Sequence, residues 1–553
     1  MENVVAGLST IDYVIFGVYA LVVVAIGLIA SKKNTKSAEG YFLAGKSIPW
    51  WAVGASLIAA NISAEQFIGM SGSGYAIGFG IAAYEFMAAA TLILVGKYLL
   101  PIFIEKGIYT IPEFVEKRFN KTLKTILAVF WICLYIFVNL SSVLYLGGLA
   151  LETILGIPMM YTILGLAAFA LIYSVYGGLS AVVWTDVIQV IVLVVGGFAT
   201  SYLALKWVGG DAGAMAGLST LINEVPDHFT MILDQSNPQF SNLPGIAVLI
   251  GGMWVANLYY WGFNQYIIQR TFAAKSIDEA QKGLVFAAFL KCITPIIVVI
   301  PGIAAYYITV HNPELLENMK AMYGDMVANN IPTAQQTDRA YPWVAQLLPA
   351  GVKGLVFAAL SAAIVSSLAS MLNSTATIFT MDIYKEYVNK NASDLTLVTV
   401  GRITAVVALA IAIFVAPLLS SLGQAFQYIQ EYTGVVSPGI LAVFLCGLFY
   451  KKATSNAAVI GVLASIIIAL LLKFLPINMP FMDQMMYTLV LTIAVIVFVS
   501  LSTNDKDDDE KAIQTTCTTF KTSGGFAIAS YAVLIIVAFI YAAFWNPQLG
   551  FAF

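Results

Sequence analysis

The sequence predicts an all-α integral membrane protein, on three observations: its apolar content, the recurrence of bilayer-length apolar segments, and the lopsided placement of basic residues between them. Of 553 residues, 60% are hydrophobic and 10% charged, more apolar side chain than a soluble core encloses. Lipid must solvate much of the surface. Stretches long enough to cross a hydrocarbon core, about 20 residues each, lie at 11–31 (α1), 50–74 (α2), 79–103 (α3), 122–153 (α4), 158–177 (α5) and 182–207 (α6). They resume at 245–268 (α7), 281–309 (α8), 351–385 (α9), 396–418 (α10), 423–450 (α11), 454–474 (α12), 481–501 (α13) and 524–545 (α14). Charge, Gly or Pro bounds each one. The expectation is fourteen transmembrane helices in one polytopic domain spanning 1–553.

Lys and Arg concentrate in short cytoplasmic loops. With fourteen crossings, Lys32, Lys33, Lys36, Lys46, Lys106, Lys117, Arg118, Lys121, Lys124, Arg270, Lys275, Lys282, Lys385, Lys390, Arg402, Lys451, Lys452, Lys506, Lys511 and Lys521 share one side. The other receives only Lys206, Lys320, Arg339, Lys353 and Lys473. An odd error in the count would scramble this segregation, so both termini are expected outside, periplasmic for a bacterial inner-membrane protein. The first residues lack the basic n-region and cleavage site of a secretory signal, so α1 is expected to remain as an anchor. Segments 208–244 and 310–350 are expected to cover the outer face, and the acidic run Asp505 to Glu510 reads as a solvated loop.

Several function classes fit poorly. Cys133, Cys292 and Cys446 fall in apolar segments and Cys517 in a polar loop, with no CxxC or Cys/His spacing, which argues against disulfides and metal centres. A net charge of −3 without a basic cluster argues against nucleic acid. His228 and His311 sit in outside loops with no nucleophile motif beside them, so no enzyme constellation is evident.

Transporters often carry inverted repeats whose corresponding helices break at the midplane. Two segments fit. α2 is interrupted by Ala60-Asn61-Ile62-Ser63-Ala64-Glu65-Gln66, and α7, five crossings later, carries Asn257-Leu258-Tyr259-Tyr260-Trp261-Gly262-Phe263-Asn264-Gln265. An odd interval inverts the second unit. Polar interhelical contacts are the competing explanation. Intramembrane ionisable groups are costly and mark sites; here they are Lys291 deep in α8, Glu85 in α3, Glu65 at the α2 break and Asp186 at the start of α6. A purely structural tie between Lys291 and a carboxylate stays open. Gln66, Asn257, Asn264 and Gln430 offer donors and acceptors together, which suits a hydroxyl-covered ligand such as a sugar. Tyr84, Tyr260, Trp261 and Phe426 offer flat apolar faces, with core packing as the alternative. In α9, Ala363, Ser366 and Ser367 share a face. Hydroxyls there, with carbonyls freed by a broken helix, suit sodium, although Ser366, Ser367, Ser370 and Ser374 equally permit close helix packing.

The stretches YFLAGKSIPWWAVGASLIAANISAEQFIGMSGSGYAIG, LIYSVYGGLSAVVWTDVIQV, WVANLYYWGFNQYIIQR, AALSAAIVSSLASMLNSTATIFTMDIY and GQAFQYIQEYTGVVSPGI resemble motifs of the sodium/solute symporter family, and the resemblance covers nearly the whole chain. It implies a LeuT-like core of two inverted five-helix repeats, 50–207 and 245–450, flanked by the leading helix 11–31 and three additional helices in 454–545. It implies sodium-driven symport of a hexose, galactose or alternatively glucose, into the cell by alternating access. The rival on the same scaffold is another solute such as proline, pantothenate or sialic acid. By motif, the resemblance places sugar contacts at Gln66, Glu85, Asn257, Lys291 and Gln430, with Asn61 and Glu65 close by. Tyr260 stacks as the inner gate beside Trp261, and Met70, Tyr84 and Phe426 form the outer lid. Carbonyls of Ala59, Ile62 and Ala363 with hydroxyls of Ser366 and Ser367 hold sodium, and Asp186 lies on its exit path. Ala88 departs from the family's serine one turn beyond the glutamate, which puts hexose preference in doubt. The expected partners are sugar, sodium and the bilayer; a homodimer is compatible with the sequence.

Overall fold

The computed structural model describes residues 8–31, 37–108, 110–328, 330–421, 425–474, 478–503, 508, 510–516 and 518–545. The acidic run Asp505 to Glu510 lies largely outside them, as does Cys517. The described chain is helical, with one isolated backbone bridge between Ile48 and Ala274. Among the described residues, eleven helices are long and apolar enough to span a bilayer, corresponding to α1, α3, α4, α6 and α8–α14. The remaining three expected crossings are shorter, and in two the reason is a break. α2 consists of Trp50–Asn61, a wide turn Glu65–Met70 and Ser71–Ala76. α7 consists of Ala247–Ile250, Gly252–Phe263 and Gln265–Phe272. The longest uninterrupted piece of each is 12 residues. α5 contributes an apolar helix Met159–Ile172 and runs into α6 through Gly178, whose φ of +56° breaks an otherwise continuous helix Met159–Gly209.

Helix starts are set locally. Ser276 caps α8 by accepting from Glu279 N, the Ser-x-x-Glu pattern of a capping box. Thr110, Asn120, Ser393 and Ser523 likewise accept from the amide three residues on, each at the start of a helix. α9 is started by a tertiary contact: Asp12 at the beginning of α1 accepts from Gly351 N and Gly354 N, both at 2.7 Å. Those amides have no intrahelical partner, so α1 is pinned across the start of α9.

Packing separates a core from a lipid-facing rim. The apolar stretch of α9 is 94% buried and that of α1 only 17%, so α9 is central and α1 peripheral. The first piece of α2 lies between α6 and α8, α9 packs along the α5–α6 unit, and α7 lies against α3 and α11. α12 and α13 pair with each other and α13 covers α11. On the face carrying the short basic connections, the backbone before α2 is stitched to the end of α7. Ile48 N donates to Ala273 O at 3.0 Å, and Lys275 N donates to Ile48 O at 3.1 Å.

Two arginines that hydropathy assigns to basic loops are buried. Arg118 is 1% exposed and donates to the carbonyls of Gly447, Tyr450, Lys451, Ala453 and Asp508. It satisfies the carbonyl-rich end of α11, where a cation is favoured by the helix dipole. Arg270 is also 1% exposed, for a reason that belongs to the site below.

A Cβ at Gly178 would lie 2.4 Å from Tyr41 O, in a left-handed conformation. Gly178→Ala is therefore expected to destabilise the protein by at least about 2 kcal/mol, read as a lower apparent Tm of the detergent-solubilised protein.

Candidate functional site

The α2 break begins at Ile62, whose ψ of 88° leaves the helix while its amide still bonds Ile58 O at 2.7 Å. Local side chains then take over the backbone. Ser63 N donates to Gln66 Oε1 at 3.1 Å, and Glu65 N donates to Ser63 Oγ at 3.0 Å. The polar patch of the sequence is thus the cap of the interruption, as buried amides require. In α7 the break falls at Asn264 (φ −92°, ψ 117°), four residues past Tyr260. Its carbonyl accepts from Ile267 N and Ile268 N, both 3.1 Å. Its side-chain oxygen accepts from the Tyr135 hydroxyl. Asn264 is therefore a structural cap and does not line the cavity. Gln265 likewise turns away and accepts from Ile111 N at 2.8 Å.

Between the two breaks lies a cavity lined by both broken helices and by α3, α8 and α11, with mostly apolar walls and a few convergent polar groups, as in small-molecule sites. α2 supplies Asn61, Glu65, Gln66 and Met70; α3 supplies Tyr84, Glu85 and Ala88; α7 supplies Asn257, Tyr260 and Trp261; α8 supplies Lys291; and α11 supplies Phe426 and Gln430. Every sugar-contact and gate residue expected from the sequence thus meets in one place. Sequence reasoning missed Thr433, Gly434 and Ser437, although with Gln430 they form an i, i+3, i+4, i+7 face that periodicity shows. Tyr259 and Ala256 were also missed, as was Met485 of α13, for which no sequence signal exists because that helix lies outside the repeats.

A hydrogen-bonded chain crosses the cavity. Lys291 donates to Glu85 Oε2 at 2.5 Å and to Asn61 Oδ1. Asn61 Nδ2 donates to the Tyr260 hydroxyl at 2.9 Å, and Tyr266 donates to the same oxygen at 2.5 Å. The Lys291 ammonium also lies 5.3 Å from the Trp261 ring centroid. A buried lysine is tolerable only when neutralised and bonded in this way. Glu65 accepts from Ser142 Oγ at 3.0 Å. Asn257 Nδ2 donates back to Met253 O at 3.1 Å, which leaves its carbonyl oxygen for a ligand. On one side the cavity is covered by an edge-to-face pair, Tyr84 and Phe426, with ring centroids 5.2 Å apart. On the other, Tyr260 packs against Trp261 and Tyr266 at 5.2 and 5.8 Å.

A second polar cluster sits where α9 crosses α2. Ser367 Oγ donates to Ala60 O at 2.9 Å, a carbonyl that falls in sequence between the expected ligands Ala59 and Ile62 but is not itself one of them. Ser366 Oγ donates to Asp186 Oδ1 at 2.6 Å, and Ser56 Oγ donates to Asp186 Oδ2 at 2.5 Å. Arg270 Nη2 lies 3.3 Å from Asp186, Arg270 Nε donates to Ser56 Oγ at 2.7 Å, and the guanidinium also reaches Ser370. Asp186 thus lies fully buried in an ion pair, and this pairing explains why Arg270 leaves the loop. The hydroxyls of Ser366 and Ser367 use their protons in these bonds and keep oxygen lone pairs for a hard cation.

Residues 41–465 match the model of the Sodium:solute symporter family. The chain is 69% identical over 548 residues to a Vibrio parahaemolyticus protein named Sodium/glucose cotransporter, with 99% of this chain and 100% of that one covered. It is 34% identical over 489 residues to the human Sodium/myo-inositol cotransporter 2, covering 84% of this chain and 70% of that one. A solved structure of a sodium-coupled sialic acid symporter, in a substrate-bound outward-open state, superposes with a TM-score of 0.77 at 24% identity, covering 89% of this chain and 98% of that one. It shares the fold. The chain is a transporter rather than an enzyme, it carries sodium as its co-transported ion, and it belongs to the sodium:solute symporter family.

Proposed function

We propose that the chain moves a hexose, galactose or glucose, into the cell together with sodium. The observation that carries this reading is the chemistry of the cavity. Its single ammonium among the described lining residues, Lys291, is already neutralised by Glu85, while Gln66, Asn257 and Gln430 add donors and acceptors. Such a lining matches a neutral ring covered in hydroxyls and leaves no cation for the carboxylate of sialic acid, pantothenate or proline. The names of the Vibrio relative, a glucose carrier, and of the human relative, a myo-inositol carrier, agree with a hydroxylated ring as cargo. Because Ala88 lines the cavity where the family's serine is expected, the balance between hexoses is set partly there.

Counting α2, α5 and α7 as crossings gives fourteen helices, with the basic face cytoplasmic and both termini outside. Sodium from outside binds the Ala59, Ile62 and Ala363 carbonyls with Ser366 and Ser367. It selects the outward-open form because it binds that form more tightly. Sugar enters past Met70, Tyr84 and Phe426, which then close; Tyr260, beside Trp261, yields inward, and sodium leaves past Asp186. A tenfold sodium gradient and a 100 mV potential together supply about 3.7 kcal/mol per ion, enough for roughly 500-fold accumulation of a neutral sugar. One sodium per sugar suffices.

In proteoliposomes with an inward sodium gradient, labelled galactose and glucose are expected to accumulate and proline is not. Gln66→Ala is expected to raise the sugar KM, and Ser367→Ala the sodium concentration for half-maximal rate, each about tenfold. Ala88→Ser is expected to change the galactose-to-glucose ratio of kcat/KM by about two- to tenfold, the worth of one hydrogen bond. Proline uptake without hexose uptake would overturn the sugar reading, and equal uptake in potassium would overturn the coupling.

The buried pair gives a separate test. Lys291→Met strands Glu85 and is expected to cost about 3–5 kcal/mol of stability. Adding Glu85→Gln to it should restore most of the loss in a thermal melt, although transport stays abolished.

A further inference from the structure

The segment between α8 and α9 reaches α2 and the first described residues of α11 through one short turn, Thr337–Arg339. Asp338 at its centre is 4% exposed. Its Oδ2 accepts from Ala425 N at 3.0 Å, the first residue of the helix Ala425–Phe449 that forms α11. The carboxylate thus holds a backbone amide of α11 from a segment far away in sequence. Its Oδ1 has no hydrogen-bond partner among the described residues. That oxygen rests against α2: a Cβ at Gly72 would lie 2.8 Å from it and 2.9 Å from Asp338 N. One turn earlier on α2, a Cβ at Gly69 would lie 2.8 Å from Phe426 Cβ. Three segments therefore meet without intervening space. They are the part of α2 beyond its break, the Asp338 turn, and the first residues of α11, whose Phe426 ring covers the cavity against Tyr84.

We propose that Asp338 is a positioning residue for the lid: it clasps the first turn of α11 against α2 and so holds Phe426 over the cavity. This rests on the reading of Phe426 as the outer lid. For Phe426 to move off Tyr84 and Gly69, the first turn of α11 must leave α2, and the Asp338 bond to Ala425 N must break. The carboxylate then becomes hydrated. The clasp is thus made in the closed form and lost in the open one, which is the condition for a group to bias a two-state equilibrium.

The burial of Asp338 gives the clasp a sign with pH. Asp338 makes no ion pair among the described residues, and burial lifts its carboxyl from the usual range to about 7. The charged and titratable side chains on the elements around it include Arg339 on the same turn and, on α4, Glu152 and Tyr145, the latter within electrostatic reach of Asp338, Arg339 and Glu152. Tyr341 follows on the next helix, Glu65 and Tyr75 lie on α2, and Glu431 lies on α11. Once open and hydrated, the carboxyl returns toward about 4. Between about 4 and 7 the closed form therefore binds more protons than the open form. Raising the pH through this window favours opening by up to tenfold per unit, and the dependence flattens above about 7.

The test needs no sugar, so its failure is distinct from a failure of the hexose reading. Hydrogen exchange of the amides in 425–434 is measured on the full-length protein in lipid nanodiscs from pH 5.5 to 8.5, corrected for intrinsic exchange rates. The wild type is expected to show opening that rises about tenfold per unit up to about pH 7 and then levels. Asp338→Asn keeps an acceptor for Ala425 N but cannot ionise, so its profile is expected to be flat and its protection high. Asp338→Ala removes the acceptor, and its profile is expected to be flat with about tenfold or more faster exchange at pH 6. Wild-type exchange without pH dependence, or Asp338→Asn with the wild-type profile, overturns the proposal even where Asp338→Ala fails to fold. Asp338→Ala with unchanged protection overturns it as well.

Discussion

Backbone amides and carbonyls inside a bilayer have no water to fall back on, and the whole site depends on how the chain meets that constraint at two interruptions. At Ile62 the helical ladder stops, and Ser63 and Gln66 take up the freed amides. At Asn264 the restart of the helix is capped by the carbonyl of Asn264 itself, and its side chain is fixed by Tyr135. An interruption whose freed amides are taken up by its own side chains leaves no unmet donor in the bilayer, so the chain need not close back into a continuous ladder there. Both polar sites, the cavity and the hydroxyl cluster between α2 and α9, lie beside these two seals.

The cavity was legible in the sequence because intramembrane polarity is so rare that each instance marks itself. Lys291, Glu85, Asn61 and Gln66 stand out against apolar surroundings, and they converge. Sequence patterns were weaker where the same residue type serves two ends. Asn264 and Asn257 look alike in the α7 motif, but one caps the helix and the other faces the cavity. Hydropathy placed Arg118 and Arg270 in loops because it scores the charge and not the partner. Five carbonyls hold the first and Asp186 holds the second. Met485 and the turn at Asp338 were illegible for a different reason: their importance arises from chain segments far apart in sequence meeting in space.

Two pairs of opposite charge form compensated units inside this protein. Lys291 with Glu85 and Arg270 with Asp186 are each buried and tied into hydroxyls or amides. The two units have different surroundings. The first borders open space that a guest can fill, whereas the second is packed solid between α2, α6, α7 and α9. A ligand therefore meets the first as a polar wall. The second reaches it only through Ser366, whose backbone belongs to the same α9 turn as Ser367.

The backbone stitch at Ile48 has a mechanical meaning. The strand-like contact joins the segment leading into one broken helix to the segment leaving the other, and Trp50 N adds a 2.6 Å bond to Glu279 at the start of α8. Three helix ends on the basic face are thereby yoked at one rigid corner, while their far portions are separated by the two discontinuities. A tilt at that corner displaces all three together, and the slack for such a tilt resides in a few dihedral angles near Ile62 and Asn264. Stiffness at the yoke and compliance at the gaps give the bundle a pivot without any helix having to bend.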